Sequence, residues 1–316
     1  MQINKIFKSI FKIIGVLIFI YILSKIDFSM MVHVIVNMNI LYLIFAILCS
    51  ILLVAIKTCR WQYINKFLYI KTPYLSAVKM STVASALGMV TPGRLGELIK
   101  VKSIKKYSPD SATSWIGVLI DRIHDMIVLL FAGLLSAFFI AHIEFNLIYL
   151  YVILSAICII LLIFIYKFWE PALLWVFKRI FQQERYLTIK EKVSYFLEIF
   201  LGSFKGTFVK SFCYSIVAYS IQCIITMMIA YSLGVEVPFQ VIFIVISVIA
   251  FASLIPITIG GLGTREGIYI YLLGQQGIPL ETSLAIAFID GILIFTFFIG
   301  FMAFIFWVTN RFSIEF

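Results

Sequence analysis

Apolar residues run along this chain in blocks too long for the core of a soluble domain. A helix needs about 20 mainly apolar residues to cross the hydrocarbon of a bilayer. Six segments meet that length, near residues 9–26, 39–57, 112–141, 146–167, 208–233 and 282–308. The third is long enough to tilt or to extend past the membrane. Two further apolar stretches end early. Residues 73–90 carry Ser76, Lys79, Ser81, Thr82 and Ser85 and stop at Thr91-Pro92-Gly93. Residues 238–257 stop at Thr258-Ile259-Gly260-Gly261. Proline and glycine interrupt helices, and open backbone is tolerated at membrane depth only inside protein or beside water. Each stretch is therefore expected to be a re-entrant hairpin or a broken helix. The pattern predicts an all-α polytopic membrane protein with six to eight transmembrane helices. It forms a single transmembrane domain over residues 1–316. Residues 171–206 alternate apolar and charged positions with helical spacing, which predicts an amphipathic linker on the cytoplasmic surface.

Composition agrees with the pattern. Hydrophobic residues make up 63% of the chain and charged residues 13%, whereas a soluble domain is about a quarter charged. Mean hydropathy is +1.10. The net charge of +10 comes from lysines and arginines that flank the apolar segments. That placement points to topology and anionic lipid rather than nucleic acid. With the N-terminus inside and the six clear segments crossing, most basic residues fall on the cytoplasmic side, and both termini are cytoplasmic. The first span follows Lys5, Lys8 and Lys12 and is expected to stay uncleaved, as no small-residue cleavage site follows it. Five scattered cysteines and three scattered histidines predict no metal site, and no cofactor motif is present.

The two breaks resemble each other. Thr91-Pro92-Gly93-Arg94-Leu95-Gly96 and Thr258-Ile259-Gly260-Gly261-Leu262-Gly263 share T-x-G-x-L-G, 167 residues apart. Thr113-Ser114 and Ile120-Asp121-Arg122-Ile123 answer Thr282-Ser283 and Ile289-Asp290-Gly291-Ile292, 169 residues apart. This predicts an internal repeat with halves near residues 39–141 and 208–308. The topology has the first break entered from the cytoplasm and the second from outside, so the halves are inverted. Inverted repeats whose broken helices meet near the midplane are a transporter pattern.

Charge inside these segments supplies the candidate chemistry. Arg94 and Glu97 follow the first break, and Arg265 and Glu266 follow the second. Asp121, Arg122 and Asp125 share one span with helical spacing, and Asp290 is the counterpart of Asp121. Each charge costs about 2.5–3.5 kcal/mol at the bilayer centre on insertion scales. Pairs such as Arg122 with Asp125, or Arg94 with Glu97, would lock helices together. Alternatively, helices starting after Gly93 and after Gly260-Gly261 would offer free amides to an anion, with Arg94 and Arg265 adding forked donors. The acids would balance the arginines, relay protons or hold a cationic headgroup. Arg60 and Trp61 close the second span at the inner interface, Trp61 as an interfacial anchor. Arg60 and Lys100 are candidates to meet an entering headgroup.

At these residues the chain resembles a known family. Arg60-Trp61, the run from Val90 to Lys100, Asp121-Arg122-x-x-Asp125, and Ile255-Pro256 followed by Gly260-Gly261-Leu262-Gly263-Thr264-Arg265-Glu266-Gly267 occur in that order. The set resembles the lysylphosphatidylglycerol synthase transmembrane region, or flippase-like domain family, over nearly the whole chain. In full-length synthases a membrane part like this one moves aminoacylated phosphatidylglycerol between leaflets, and a soluble domain attaches the lysine. This chain ends at Phe316, soon after its last span, and is expected to lack that soluble domain. The resemblance thus implies a flippase for a phospholipid or polyprenyl-linked lipid. Arg94, Glu97, Asp121, Arg122, Asp125, Arg265 and Glu266 match the family's motif positions. The alternatives are a membrane-embedded aminoacyl- or glycosyl-lipid transferase of the phosphatidylglycerol lysyltransferase kind, or an accessory subunit of a separate synthase or glycosyltransferase.

Overall fold

The structure is a computed structural model that describes residues 17–139, 156, 183–253, 258 and 261–310. The expected span near 146–167, most of the first span, and Gly260 lie outside the described residues. Within them the chain is helical throughout, with no strand. Short α1 (Leu17–Leu23) turns through 83° into α2 (Phe28–Val36), which Asp27 caps by accepting the Ser29 and Met30 amides. Then come α3 (Ile40–Phe67) and α4 (Tyr74–Val90). A 3₁₀ turn (Pro92–Leu98) leads into α5 (Ile99–Ile104), and α6 covers Ser111–Phe139. The second part has α7 (Gln183–Ser232), α8 (Phe239–Ala252), α9 (Thr264–Gly274) and α10 (Leu280–Phe288). A π-helical stretch (Ile289–Ile299) then runs into α11 (Gly300–Asn310).

This is an all-α membrane protein, and its surface is that of a protein solvated by lipid. On α3, Leu41, Phe45, Leu48 and Leu52 recur every three or four residues and are all at least half exposed. The opposite face of the same helix buries Ala46, Ser50, Leu53, Arg60 and Ile64. Phe297, Phe301, Phe304 and Val308 form a second exposed apolar stripe along the last helical stretch. A helix that turns its large apolar side chains outward and its polar ones inward reverses the pattern expected in water. Helix α3 is long and apolar enough to cross a membrane, as is residue range Lys190–Ser232 of α7. By contrast, α8 has 14 residues, about 21 Å at 1.5 Å per residue, against about 30 Å of hydrocarbon. It stops short at its break.

Two apolar clusters hold the helices together. One joins α3, α6, α7, α8, α9 and the start of the π stretch around Leu53, Val128, Ile225, Ile242, Leu273 and Ile289. The other joins α3, α4, α5 and α6 around Trp61, Ile64, Met80, Ile104 and Ile116, with Phe196, Phe200 and Phe204 of α7 laid against it. Helix α6 packs on both α7 and α8, while the π stretch and α11 pack on α4. Each short helix before a break is thus covered by the long helix that follows the other break.

Two expectations differ here. Of the surface linker expected over 171–206, residues 171–182 lie outside the described residues, and 183–206 are continuous with the following span in one 50-residue helix. The physical reason is a phenylalanine ladder at i, i+4 through Phe196, Phe200, Phe204, Phe208 and Phe212, with neighbouring centroids 5.6–6.3 Å apart. That stripe packs on the buried clusters of the protein. Gly206 sits against the Phe67 ring, where a Cβ would collide. Trp61, expected as an interfacial anchor, is fully buried, because α3 continues to Phe67 and carries it into the second cluster.

Helix α6 must start at one place, because it carries the charged residues. Asp110 fixes that start. Its carboxylate accepts the Thr113 amide at 2.7 Å, the Thr113 hydroxyl at 2.9 Å and the Tyr195 hydroxyl of α7 at 3.2 Å. Burial works against this charge, but the hydrogen bonds from Thr113, Tyr195 and Ala112 outweigh it and hold the carboxyl below the usual carboxylate range. The contribution is complete at neutral pH and fades as pH falls through the lowered value. Asp110→Ala is expected to lose about 1 kcal/mol of stability. Thermal unfolding in detergent should show this deficit at pH 7 and a smaller one in acid.

Candidate functional site

The charged residues fall where the two apolar clusters meet. On α3 this junction lies between Leu53 and Trp61, on α6 between Ile120 and Val128, and on α7 between Phe204 and Ala218. Arg60 occupies its centre and is 2% exposed. Its Nε and Nη2 donate to Asp121 Oδ1 at 3.0 and 2.7 Å. Nη2 also reaches Asp125 Oδ2 at 3.0 Å, and Nη1 pairs with Asp125 Oδ1 and donates to Ser215 of α7 at 2.6 Å. Asp121 and Asp125 share a helix face at i, i+4, and the planar guanidinium spans both. Lys100 of α5, 6% exposed, adds a second cation to Asp121 at 3.3 Å and lies 4.9 Å from the centre of the Trp61 ring. Arg60 and Lys100, expected at an entry surface, are interior residues that neutralise the Asp121–Asp125 face.

Around the first break, Thr91 joins two turns. Its hydroxyl donates to the Leu87 carbonyl at 2.8 Å and accepts the Gly96 amide at 2.7 Å. Gly96 presses on α4 so closely that a Cβ would overlap the Leu87 carbonyl. Glu97 is thereby held against Gly88 and forms an ion pair with Arg122 of α6. The local pairs expected from spacing, Arg122 with Asp125 and Arg94 with Glu97, are replaced by Arg122–Glu97 and Arg60–Asp125. Arg94 itself has φ of +54°, an uncommon conformation for a residue with a Cβ. The fourth residue of the second T-x-G-x-L-G copy, Gly261, has φ of +77°. Arg94 makes no ion pair or side-chain hydrogen bond with a described residue. Lys57 of α3 makes no ion pair with a described residue, its Nζ resting 5.7 Å from the Tyr219 ring centre. Asp125 lies close enough to attract Lys57, and Arg94, Arg60 and Arg122 lie close enough to repel it. Five cations (Lys57, Arg60, Arg94, Lys100 and Arg122) thus face three carboxylates: Glu97, Asp121 and Asp125.

The second break has the opposite balance. Glu266 is fully buried and accepts the Gly263 amide at 2.6 Å at the start of α9. The amide expected to be free for an anion is therefore occupied from within. Arg265 pairs with Glu266 at 2.6 Å. Its guanidinium passes over Gly291, where any Cβ would overlap it. Asp290, 5% exposed, opens the π stretch and has neutral partners: Tyr269 Oη at 2.8 Å, Thr226 Oγ1 at 3.3 Å and Gln222 Nε2 at 3.4 Å. π-helical turns widen a helix and often mark functional positions.

Helix α7 connects the two groups. Ser215, Tyr219, Gln222 and Thr226 recur at intervals of three or four residues and so share one face. Ser215 meets Arg60, Tyr219 meets Lys57, and Gln222 and Thr226 meet Asp290. These residues, with Lys57 and Tyr269, escape a motif-based reading because none is charged beside a break. The signal that could find them is polar residues at helical spacing inside an apolar span. Among the described residues no group of His, Cys, Asp or Glu converges as a metal would require.

Comparison with known proteins adds two findings. The sequence profile of the family described as the lysylphosphatidylglycerol synthase TM region matches residues 9–301. The UPF0104 membrane protein PH1989 of Pyrococcus horikoshii is 26% identical over 309 residues, covering 90% of this chain and 91% of that protein.

Proposed function

Since the chain belongs to the lysylphosphatidylglycerol synthase TM region family, we propose that it moves a lipid with a phosphate-bearing headgroup between the leaflets of the cell membrane. The observation that carries this reading is the surplus of cations around the first break, Arg60 and Lys100 buried and Lys57, Arg94 and Arg122 partly buried. Arg60, Lys100 and Arg122 form ion pairs, whereas Arg94 and Lys57 form none with a described residue, and Lys57 shares Asp125 at longer range with Arg60. An uncompensated charge away from water is costly. A phosphate oxygen held between Arg94 and Lys57 would compensate both, and the guanidinium offers two parallel donors.

The rest of the architecture is consistent with transfer across the membrane. The halves near residues 39–141 and 208–308 form an inverted repeat with cytoplasmic termini, which allows one site to face each leaflet in turn. The crossed packing of each long helix on the other half's short helix supports that arrangement. Phospholipid and polyprenyl-linked lipid share the phosphate chemistry, and a separate synthase or glycosyltransferase would supply the headgroup.

The cleanest test is Arg94→Gly. Glycine accepts the left-handed backbone at this position, so the substitution removes the cation without adding strain. Losing a charge-assisted hydrogen bond of about 1.5–3 kcal/mol predicts roughly ten- to a hundredfold slower transfer. Purified protein in liposomes with fluorophore-labelled phosphatidylglycerol gives the rate, with Lys57→Met as the companion variant. Native mass spectrometry of the wild type should show co-purified phosphate-bearing lipid. Undiminished transfer by the double variant would sink the anion site.

A further inference from the structure

The phosphate site makes no use of the second polar group, which is built to different rules. Asp121 and Asp290 stand at corresponding places in the two halves. Asp121 is held by Arg60 and Lys100, two full positive charges. Asp290 is as deeply buried, and no cation lies within ion-pair distance of it among the described residues. Arg265 is the neighbouring cation, but its ion pair is with Glu266. One cation therefore serves two buried carboxyls.

Side chains from several helices surround Asp290. Helix α7 presents Gln222, Cys223 and Thr226. Helix α9 presents Tyr269, Arg265 and Glu266. On α4, Lys79 lies against the Phe306 ring and Tyr74 beside Cys59. Helix α10 carries Glu281 in its first turn, about 13 Å along the axis from Asp290. Helix α11 has no ionisable side chain. The two contacts to Oδ1 are long, at 3.3 and 3.4 Å. A proton on Oδ1 would shorten one of them, because the Gln222 amide can turn its oxygen inward to accept it. One proton also brings Arg265, Glu266 and Asp290 to zero net charge.

We propose that Asp290 binds and releases the proton of a proton-coupled lipid transfer, an inference that rests on the lipid transfer proposed above. Tyr219, beside Lys57, and Gln222, beside Asp290, are three residues apart on α7, about 4.5 Å along its axis. A phosphate anion arriving at Arg94 and Lys57 favours the neutral form of a nearby carboxyl. By reciprocity, the protonated carboxyl favours the anion. The lipid's negative charge and the proton therefore travel together, in the same direction and without net charge movement.

The test uses the full chain in phosphatidylcholine liposomes with a trace of fluorophore-labelled phosphatidylglycerol and a pH dye in the lumen. For wild type, the label should collect in the leaflet on the alkaline side, approaching roughly tenfold per imposed pH unit. The lumen should acidify as lipid enters, and membrane voltage should have no effect. Asp290→Asn should abolish the response to the gradient and the proton movement. Infrared spectroscopy of the detergent-solubilised protein should show a protonated-carboxyl band that Asp290→Asn removes, with unfolding temperature as the check on its fold. Transfer that ignores the pH gradient, or accumulation on the acidic side, overturns the coupling and leaves the anion site standing. A missing infrared band overturns the assignment to Asp290. No transfer at all by wild type removes the proposed function, and the coupling with it.

Discussion

Arg60→Leu should lower stability by about 3–5 kcal/mol, the cost of leaving buried carboxylates without their partner. The side chain is 2% exposed and holds Asp121, Asp125 and Ser215 at once, so it ties α3, α6 and α7 together. The loss comes from stranded charge and not from missing contact area, because leucine would sit well between two apolar clusters. A compensated variant separates the two causes. Arg60→Leu with Asp125→Asn removes one charge of each sign and leaves Asp121 paired with Lys100 at 3.3 Å. It should recover most of the lost stability, since apolar replacement of a whole buried pair is often neutral. Arg60→Lys should fall between, as a single ammonium lacks the fork that spans both carboxylates. Thermal unfolding in detergent would measure all three. If the compensated variant unfolds as early as Arg60→Leu, the charge explanation fails.

That network shows which parts of the molecule are legible in its sequence. The membrane class follows from runs of apolar residues, and the two breaks follow from proline and glycine at their ends, because both signals are local. The motif charges were also visible as charges. Their partners were not. Asp121 and Asp125 lie 61 and 65 residues from Arg60, and no spacing rule reaches that far. Local spacing instead suggests Arg122 with Asp125, a pair that the helix permits but that Glu97 displaces. Arg60 itself reads as the end of a span because Lys57 and Lys66 stand on either side. The helix continues past it because Asp121 and Asp125 supply the counter-charge that sequence proximity hides.

The same limit applies to the second half. Asp290 reads in the sequence as a counterpart of Asp121, yet the shared pattern conceals their difference: two cations against three neutral donors. Residues 183–206 show why amphipathic spacing alone is ambiguous. A stripe of phenylalanines every four residues suits a membrane surface or a protein groove equally well. Here Trp61, Ile64 and Ile116 provide the groove.

The shared T-x-G-x-L-G pattern marks the breaks, but the reason for its last glycine needs the packing. Gly96→Ala should destabilise the protein by about 1–3 kcal/mol, since its Cβ would overlap the backbone of Leu87, which cannot swing aside as a side chain tip can. Relief requires the 3₁₀ turn to lift from α4. Glu97 is the next residue, so lifting the turn loosens its ion pair with Arg122 and shifts Arg94 with it. Gly96→Ala should therefore slow lipid transfer as well as lower the unfolding temperature, although it removes no charge. Gly202→Ala is the matched comparison. Gly202 lies within α7 with nothing near its absent Cβ, so alanine there should raise stability by up to about 1 kcal/mol through helix propensity. Opposite signs for one chemical change would locate the effect in the contact between the turn and α4. Two similar losses would mean that the glycine matters for backbone freedom alone, and the Leu87 contact would then carry no weight in holding Glu97 and Arg94 in place.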